Sequence, residues 1–415
     1  MRKIRESPPA RRRALAAALL LALPALLRTG AAAAQAAAQA AAQARYTSPD
    51  WGFSVDLPPD YHFNDTGAKN RFLWTAPADR VFIITLYEGA SSPSAEALAE
   101  RTKQRLSAAG DTSVFTYGRG EAAIFEARFS ETKGQRALPM AGWGFCAALK
   151  ATDDAAAPGP WLLALAYGPA SLGDSQVLHL SCLDSLSPDE ASRRSPGPVT
   201  AFSYPRGERV KAPVPGTDEE AWIYAEDAEA SQAVVEREYE VMARYAESPA
   251  WQEAWRRFYR MIYRDSFERV SDIAFALERA FNPSSIPADD DGRPGAERAF
   301  AEKALAWVQG FQYERDPEGS DFVNLVSCAL EQRGDCDSRA LLWAITLIQA
   351  NIPAAIMVSR EYSHAMGLAD MAGTGARFEA GSVRWLVAET TAPVALGLIG
   401  EKVSASRHWL GVIFE

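Results

Sequence analysis

Gln332-Arg333-Gly334-Asp335-Cys336-Asp337-Ser338-Arg339-Ala340-Leu341-Leu342-Trp343 reads as a turn feeding a helix, with one cysteine at the junction. Asp335 suits the N-cap, because its side-chain oxygen can accept an amide hydrogen of the first turn. Gly334 allows a close backbone approach in front of it. Ala340, Leu341, Ala344, Ile345 and Ile348 then recur at the helical period. The helix should stop near Asn351, just before Ile352-Pro353. Cys336 therefore falls in the first turn, where the helix dipole and free N–H groups favour a thiolate, the nucleophilic form of cysteine. Asp335 and Asp337 push the other way, since carboxylates beside a thiol raise its pKa. A nucleophile here needs a positive partner, most naturally an imidazolium.

That partner lies downstream. Ala354 to Ser359 reads as a buried strand and Ser363 to Leu368 as the next. Gly373-Thr374-Gly375 marks a turn, and Arg384 to Thr390 reads as a third strand. The order is a helix with Cys336, a strand with His364 and a strand with Glu389. Those three residue types make a nucleophile, a base and a carboxylate that orients the base.

The pieces around this set resemble the transglutaminase-like superfamily, over residues 300–393. Ala306 to Asp316 resembles its lead-in helix and "Y-x-x-D" end. Leu330 to Leu342 reads "L-x-x-x-G-x-C-x-x-x-A-x-L". Ala350 to Ala354 resembles the "GIPAR" step, Ser363-His364-Ala365 resembles "HAW", and Trp385 to Thr391 resembles "W-x-x-x-D-x-T". The resemblance implies a papain-like core with a helix bearing the cysteine packed on an antiparallel sheet. It implies Cys336 as nucleophile, His364 as base and Glu389 as third member; no cofactor is expected, and no metal, as no CxxC…CxxC spacing of a zinc site occurs. Glu389 stands where the family usually has Asp, and Met366 where an aromatic is common.

The N-terminus has a different composition. Arg2, Lys3, Arg5 and Arg11 to Arg13 precede an apolar run, Ala14 to Leu27, and an Ala/Gln stretch to Ala44 with A-x-A cleavage sites. This reads as a secretory signal peptide over 1–44, the apolar run being shorter than the ~20 residues a span needs. Export to a periplasmic or extracellular, bacterial setting is the expectation, with no membrane span after cleavage. Removing 1–44 takes away seven basic and one acidic side chains, leaving 36 basic, 52 acidic and a net charge of −16. That balance disfavours nucleic acid and anionic membrane as partners.

The rest divides into four expected parts, α+β overall. Residues 45–187 show strands around a helix at Ser94 to Ala109. The opening "Y-x-S-x-x-W-G-F-S-V-D-L-P" at Tyr46 to Pro58, with that element order, resembles PsbP/Mog1-like domains, which implies an antiparallel-sheet domain. Residues 188–217, with six prolines, read as a linker or irregular crossing segment. Residues 218–295 read as a helical region from Glu219 to Phe281 and a polar loop. Its aromatic stripe from Trp251 to Phe267 reads as packing against neighbouring helices. Residues 296–415 hold the cysteine motif. Cys146 and Cys182 share the first part, and in an exported protein a disulfide between them is expected. Cys328 reads as a small buried hydrophobe. His62 and His179 read as satisfied structural histidines, and His408 is assigned no role.

The function expected from this set is acyl transfer through a Cys336 thioester on peptide amides, as a protease or amidase or as a transglutaminase. The partners are then a peptide or protein substrate, peptidoglycan peptides included. The reading from a different class is an inactive extracytoplasmic binding or scaffold protein that uses the same fold.

Overall fold

The computed structural model of the chain describes residues 45–88, 91–149, 159–173, 175–281, 294–315 and 320–414. The 1–44 stretch, Asp316 and most of the 282–295 loop lie outside them. The described chain mixes helix and sheet in two layered halves.

The first half begins with a small ladder of β1 (Arg45–Thr47) and β2 (Ser54–Asp56). There follow β3 (His62–Asn64), β4 (Arg71–Ala76), β5 (Arg80–Tyr87), α1 (Ala95–Leu106), β6 (Thr112–Tyr117), β7 (Gly120–Lys133), β8 (Arg136–Ala148) and β9 (Trp161–Pro169). β3 to β9 form one seven-stranded antiparallel sheet in the order β3-β4-β5-β9-β8-β7-β6. The alternation in β5 sends Phe82, Ile84 and Leu86 to one core, as the two-residue side-chain period requires. α1 is capped by Ser94, whose side chain accepts from the Ala97 amide at 3.0 Å. It covers one face of the sheet, and α2 (Ser175–Asp184) covers the other.

Those two faces remove the expected disulfide. All four cysteines are free and buried. Cys146 on β8 packs toward α1, whereas Cys182 on α2 packs in the core of the opposite face. The sheet stands between them, so each is a small apolar filler.

Residues 188–217 are more regular than a linker. A 3₁₀ turn, Ala191–Arg194, leads into α3 (Pro198–Ser203), where Pro198 occupies the first turn, a place that does not need its missing N–H. β10 (Arg209–Pro213) then pairs with β11 (Glu220–Tyr224). The helix expected from Glu219 is therefore a hairpin strand first. Ala221-Trp222-Ile223-Tyr224 suits a half-exposed strand through its aromatic and β-branched residues.

α4 (Asp227–Ala243), α5 (Trp251–Arg269), α6 (Ser271–Phe281) and α7 (Pro294–Gln309) form the helical layer. β12 (Gln312–Tyr313), α8 (Leu325–Glu331), β13 (Arg333–Gly334) and α9 (Cys336–Gln349) come next. β14 (Ala354–Ser359), β15 (His364–Ala369), β16 (Arg377–Ala380), β17 (Val383–Ala388) and β18 (Leu410–Val412) build an antiparallel sheet in the order β16-β17-β15-β14-β18. α9 packs on β14 and β15, and its Trp343 ring lies over Gly367. A Cβ at Gly367 would come 2.4 Å from that ring, so only glycine admits the tryptophan there. Among the described residues no helix is long and apolar enough to cross a membrane.

Buried charge joins the halves. Arg257 on α5 donates to Glu238 at 2.6 Å and to the Ser181 hydroxyl of α2 at 2.8 Å. Arg260 forks onto Asp56 of β2 at 2.6 and 2.9 Å.

Candidate active site

The turn before α9 is held on three sides. Asp335 is the N-cap: its carboxylate accepts from the Ser338 amide at 2.9 Å and also from the Ser338 hydroxyl. Tyr313 pairs in parallel register with Gly334, so the lead-in strand lies beside the cysteine turn. Arg339, 1% exposed, donates to the carbonyls of Gly334 at 3.0 Å and Phe311 at 2.7 Å. Gly334 itself touches Cys328: a Cβ there would lie 3.0 Å from the Cys328 sulfur. The missing side chain at Gly334 is thus what lets the turn close against Cys328.

This frame leaves Cys336 as the first residue of α9 and 6% exposed. Its thiol hydrogen-bonds to Asp337 Oδ1 at 3.5 Å. Burial pushes the thiol's pKa up, Asp337 and Asp335 add to the rise, and the Ala365 amide opposes it. Asp337 is also pushed up by burial, against the pull of the Tyr259 hydroxyl, which donates to its Oδ2 at 2.9 Å. Burial and Asp337 together push Asp335 up.

His364 opens β15, opposite Ser359. Its Nε2 is 2.8 Å from Glu389 Oε2. Glu389 sits just past the end of β17 and is 7% exposed. Its other oxygen accepts from the Thr391 amide at 2.8 Å and the Thr391 hydroxyl at 2.6 Å, while its backbone carbonyl accepts from Gln309 at 2.8 Å. Burial works against its ionisation, but His364 and Thr391 outweigh it and hold the carboxyl below its usual range. With Nε2 engaged by Glu389, Nδ1 is the nitrogen left to act as a base.

Cys336 and His364 line one cleft of about 290 Å³. Trp255 and Tyr259 of α5, Tyr313 and Arg360 share its walls. The geometry therefore brings together cysteine, histidine and, behind the histidine, glutamate. Met366 is buried on the far side of the sheet with Met357, Leu368 and Trp385, away from the cleft. Among the described residues the group able to hold a metal ion is Asp335, Cys336 and Asp337, and protein donors already occupy both carboxylates.

Three participants escaped sequence reasoning. Tyr259 and Trp255 belong to the α5 stripe whose spacing reads as packing, and only their separation of four residues hints at a shared face. Arg339 lies within the helix pattern, and no local signal sets it apart. No protein-family model matches the chain, and no curated protein matches it.

Proposed function

We propose that the chain is a cysteine acyl-transfer enzyme of the transglutaminase-like type, acting on peptide amides. The observation that carries this reading is the shared cleft, with a helix-start thiol and a histidine whose far nitrogen is tied to a carboxylate. In this reading His364 Nδ1 takes the proton from the Cys336 thiol as sulfur bonds to the amide carbon. The carbonyl electrons move onto oxygen, beside the Cys336 amide at the helix start. The imidazolium then gives its proton to the leaving amine as the C–N bond breaks, leaving a thioester. Water or a second amine attacks that thioester and restores the thiol. Glu389 fixes the tautomer and stabilises the imidazolium. The family resemblance of residues 300–393 and of Tyr46 to Pro58 supports naming the two halves transglutaminase-like and PsbP/Mog1-like. The basic and apolar N-terminal stretch supports export, which makes peptidoglycan peptides candidate substrates.

A second reading, a binding or scaffold protein, is favoured by one observation. The thiol is nearly closed off and its carboxylate neighbours oppose ionisation.

The test is capture of the acyl-enzyme. Purified chain is incubated with amide peptides, including peptidoglycan stem peptides, then quenched in acid and weighed intact. The enzyme reading predicts a hydroxylamine-labile adduct on Cys336, absent from Cys336→Ala. No adduct and no cleaved or transamidated product across the set would leave the scaffold reading.

A further inference from the structure

A cavity of about 610 Å³ lies between the two halves and shares no lining residue with the Cys336 cleft. Its walls come from β1 and β2, the 3₁₀ turn, α5 and Phe414. Five arginines line it, Arg45, Arg193, Arg194, Arg260 and Arg264, against two carboxylates, Asp56 and Glu190. The whole chain carries a net charge of −10, so this positive concentration runs against the average.

Among the described residues, Arg264 and Arg193 have no bonded anion. Asp56 is taken by the fork of Arg260. Arg264 is 7% exposed, and its hydrogen bonds go to neutral acceptors. These are the carbonyls of Asp184, Leu186 at 2.7 Å and Ser192 at 3.3 Å, and the Tyr117 hydroxyl at 3.4 Å. The Asp184 carboxylate, whose field reaches Arg264, is bonded to Arg237 and Thr200 instead. Arg193 gives one nitrogen to the Gly52 carbonyl at 3.1 Å, while its buried Nε has no partner. A guanidinium held out of water without an anion is costly, and a planar fork of donors suits an oxyanion. One wall is apolar: the rings of Tyr263 and Phe414 stack 4.3 Å apart, with Met261 and Val55 also on the lining. The volume falls within the ~300–1,000 Å³ of small-ligand sites.

We propose that this cavity binds a small organic anion, its phosphate or carboxylate head group on the arginines and its apolar body against Tyr263 and Phe414. Sequence alone scatters these residues over 45–414. The fold gathers them at the seam, and α5 carries both this wall and the Trp255–Tyr259 wall of the cysteine cleft.

Calorimetric titration of the full chain with inorganic phosphate and, separately, with citrate tests it, each against sodium chloride of matched ionic strength. Saturable binding with a Kd below about 1 mM is expected for at least one probe. Phosphate ahead of citrate identifies the head group as phosphate, and the reverse order identifies it as carboxylate. Exposed Arg45 and Arg194 can be replaced without opening the core. Arg45→Gln and Arg194→Gln should each weaken binding about tenfold, whereas Arg209→Gln on the β10–β11 hairpin leaves it unchanged. Heat that does not saturate with either probe, or affinity equal in both cavity variants and the original chain, overturns the proposal.

Discussion

Cys336 stands between opposing influences. The helix start and the Ala365 amide favour a thiolate; burial and the two aspartates disfavour it more strongly. The thiol is thus held toward its protonated form, so in the proposed reaction His364 would take the proton during attack rather than beforehand. Asp337→Asn removes one opposing charge while keeping a side chain of the same shape. Its thiol should ionise at lower pH than the original, read from the thiolate absorbance during a pH titration; an unchanged or higher midpoint would show that Asp337 does not set the ionisation. The carboxylate neighbours were legible from Asp335-Cys336-Asp337 alone. The Tyr259 hydroxyl on Asp337 was not, because it arrives from 78 positions earlier in the chain.

His179 gives the residue scale a second test, away from the cleft. It is 1% exposed, but both ring nitrogens lack partners among the described residues, so it is buried without being the satisfied structural histidine expected. Its pKa is lowered to about 4 from 6.5, first by burial and then by Arg80. Between those values the unfolded chain binds a proton that the folded chain refuses. Stability should thus fall as pH drops through that window, with a slope approaching about 1.4 kcal/mol per pH unit. Urea denaturation of His179→Leu at several pH values should give a flatter profile than the original. Parallel profiles would assign the acid sensitivity elsewhere.

At the scale of elements, apolar periodicity carried furthest where burial is complete. α9, β14, β15 and β17 all fall where the helical period or an uninterrupted apolar run places them. The stop near Asn351 also appears, with Asn351 at φ 62° ahead of Pro353. The reading failed where one local pattern suits two structures. Glu219 to Ala225 continues a helical composition, yet pairing with Arg209–Pro213 makes it a strand. Cys146 and Cys182 failed for another reason: sequence separation does not reveal which face of a sheet each residue meets. The packing of α9 on β15 makes the sharpest prediction here. Gly367→Ala pushes a methyl into the buried Trp343 ring and should destabilise the fold by about 1–3 kcal/mol. Trp343→Leu in the same chain should recover part of that loss in denaturant titrations. A Gly367→Ala protein as stable as the original would mean that the close approach is absent.

At the scale of the whole molecule, α5 joins the sheet of the first half to the cysteine-bearing half. Glu238 is fully buried beneath Arg257, which also holds Ser181. Glu238→Ala leaves that guanidinium uncompensated and should cost about 3–5 kcal/mol. Chemical denaturation measures it, and a loss below about 1 kcal/mol would show that the seam does not depend on this pair. Such seams are hidden from sequence reasoning, because arginine and glutamate on a helix usually read as a solvated face.

In the proposed enzyme Cys336 and His364 act as one unit. The most direct measurement is the rate of Cys336 alkylation by iodoacetamide between pH 5 and 9, site-resolved by peptide mass mapping. It is compared in the original chain, His364→Ala and Glu389→Gln. We predict labelling at neutral pH that depends on His364, slowed at least about tenfold by His364→Ala and less by Glu389→Gln. Equal rates in all three, rising only above the ordinary thiol range near ~8.5, would contradict the pairing and with it the enzyme reading.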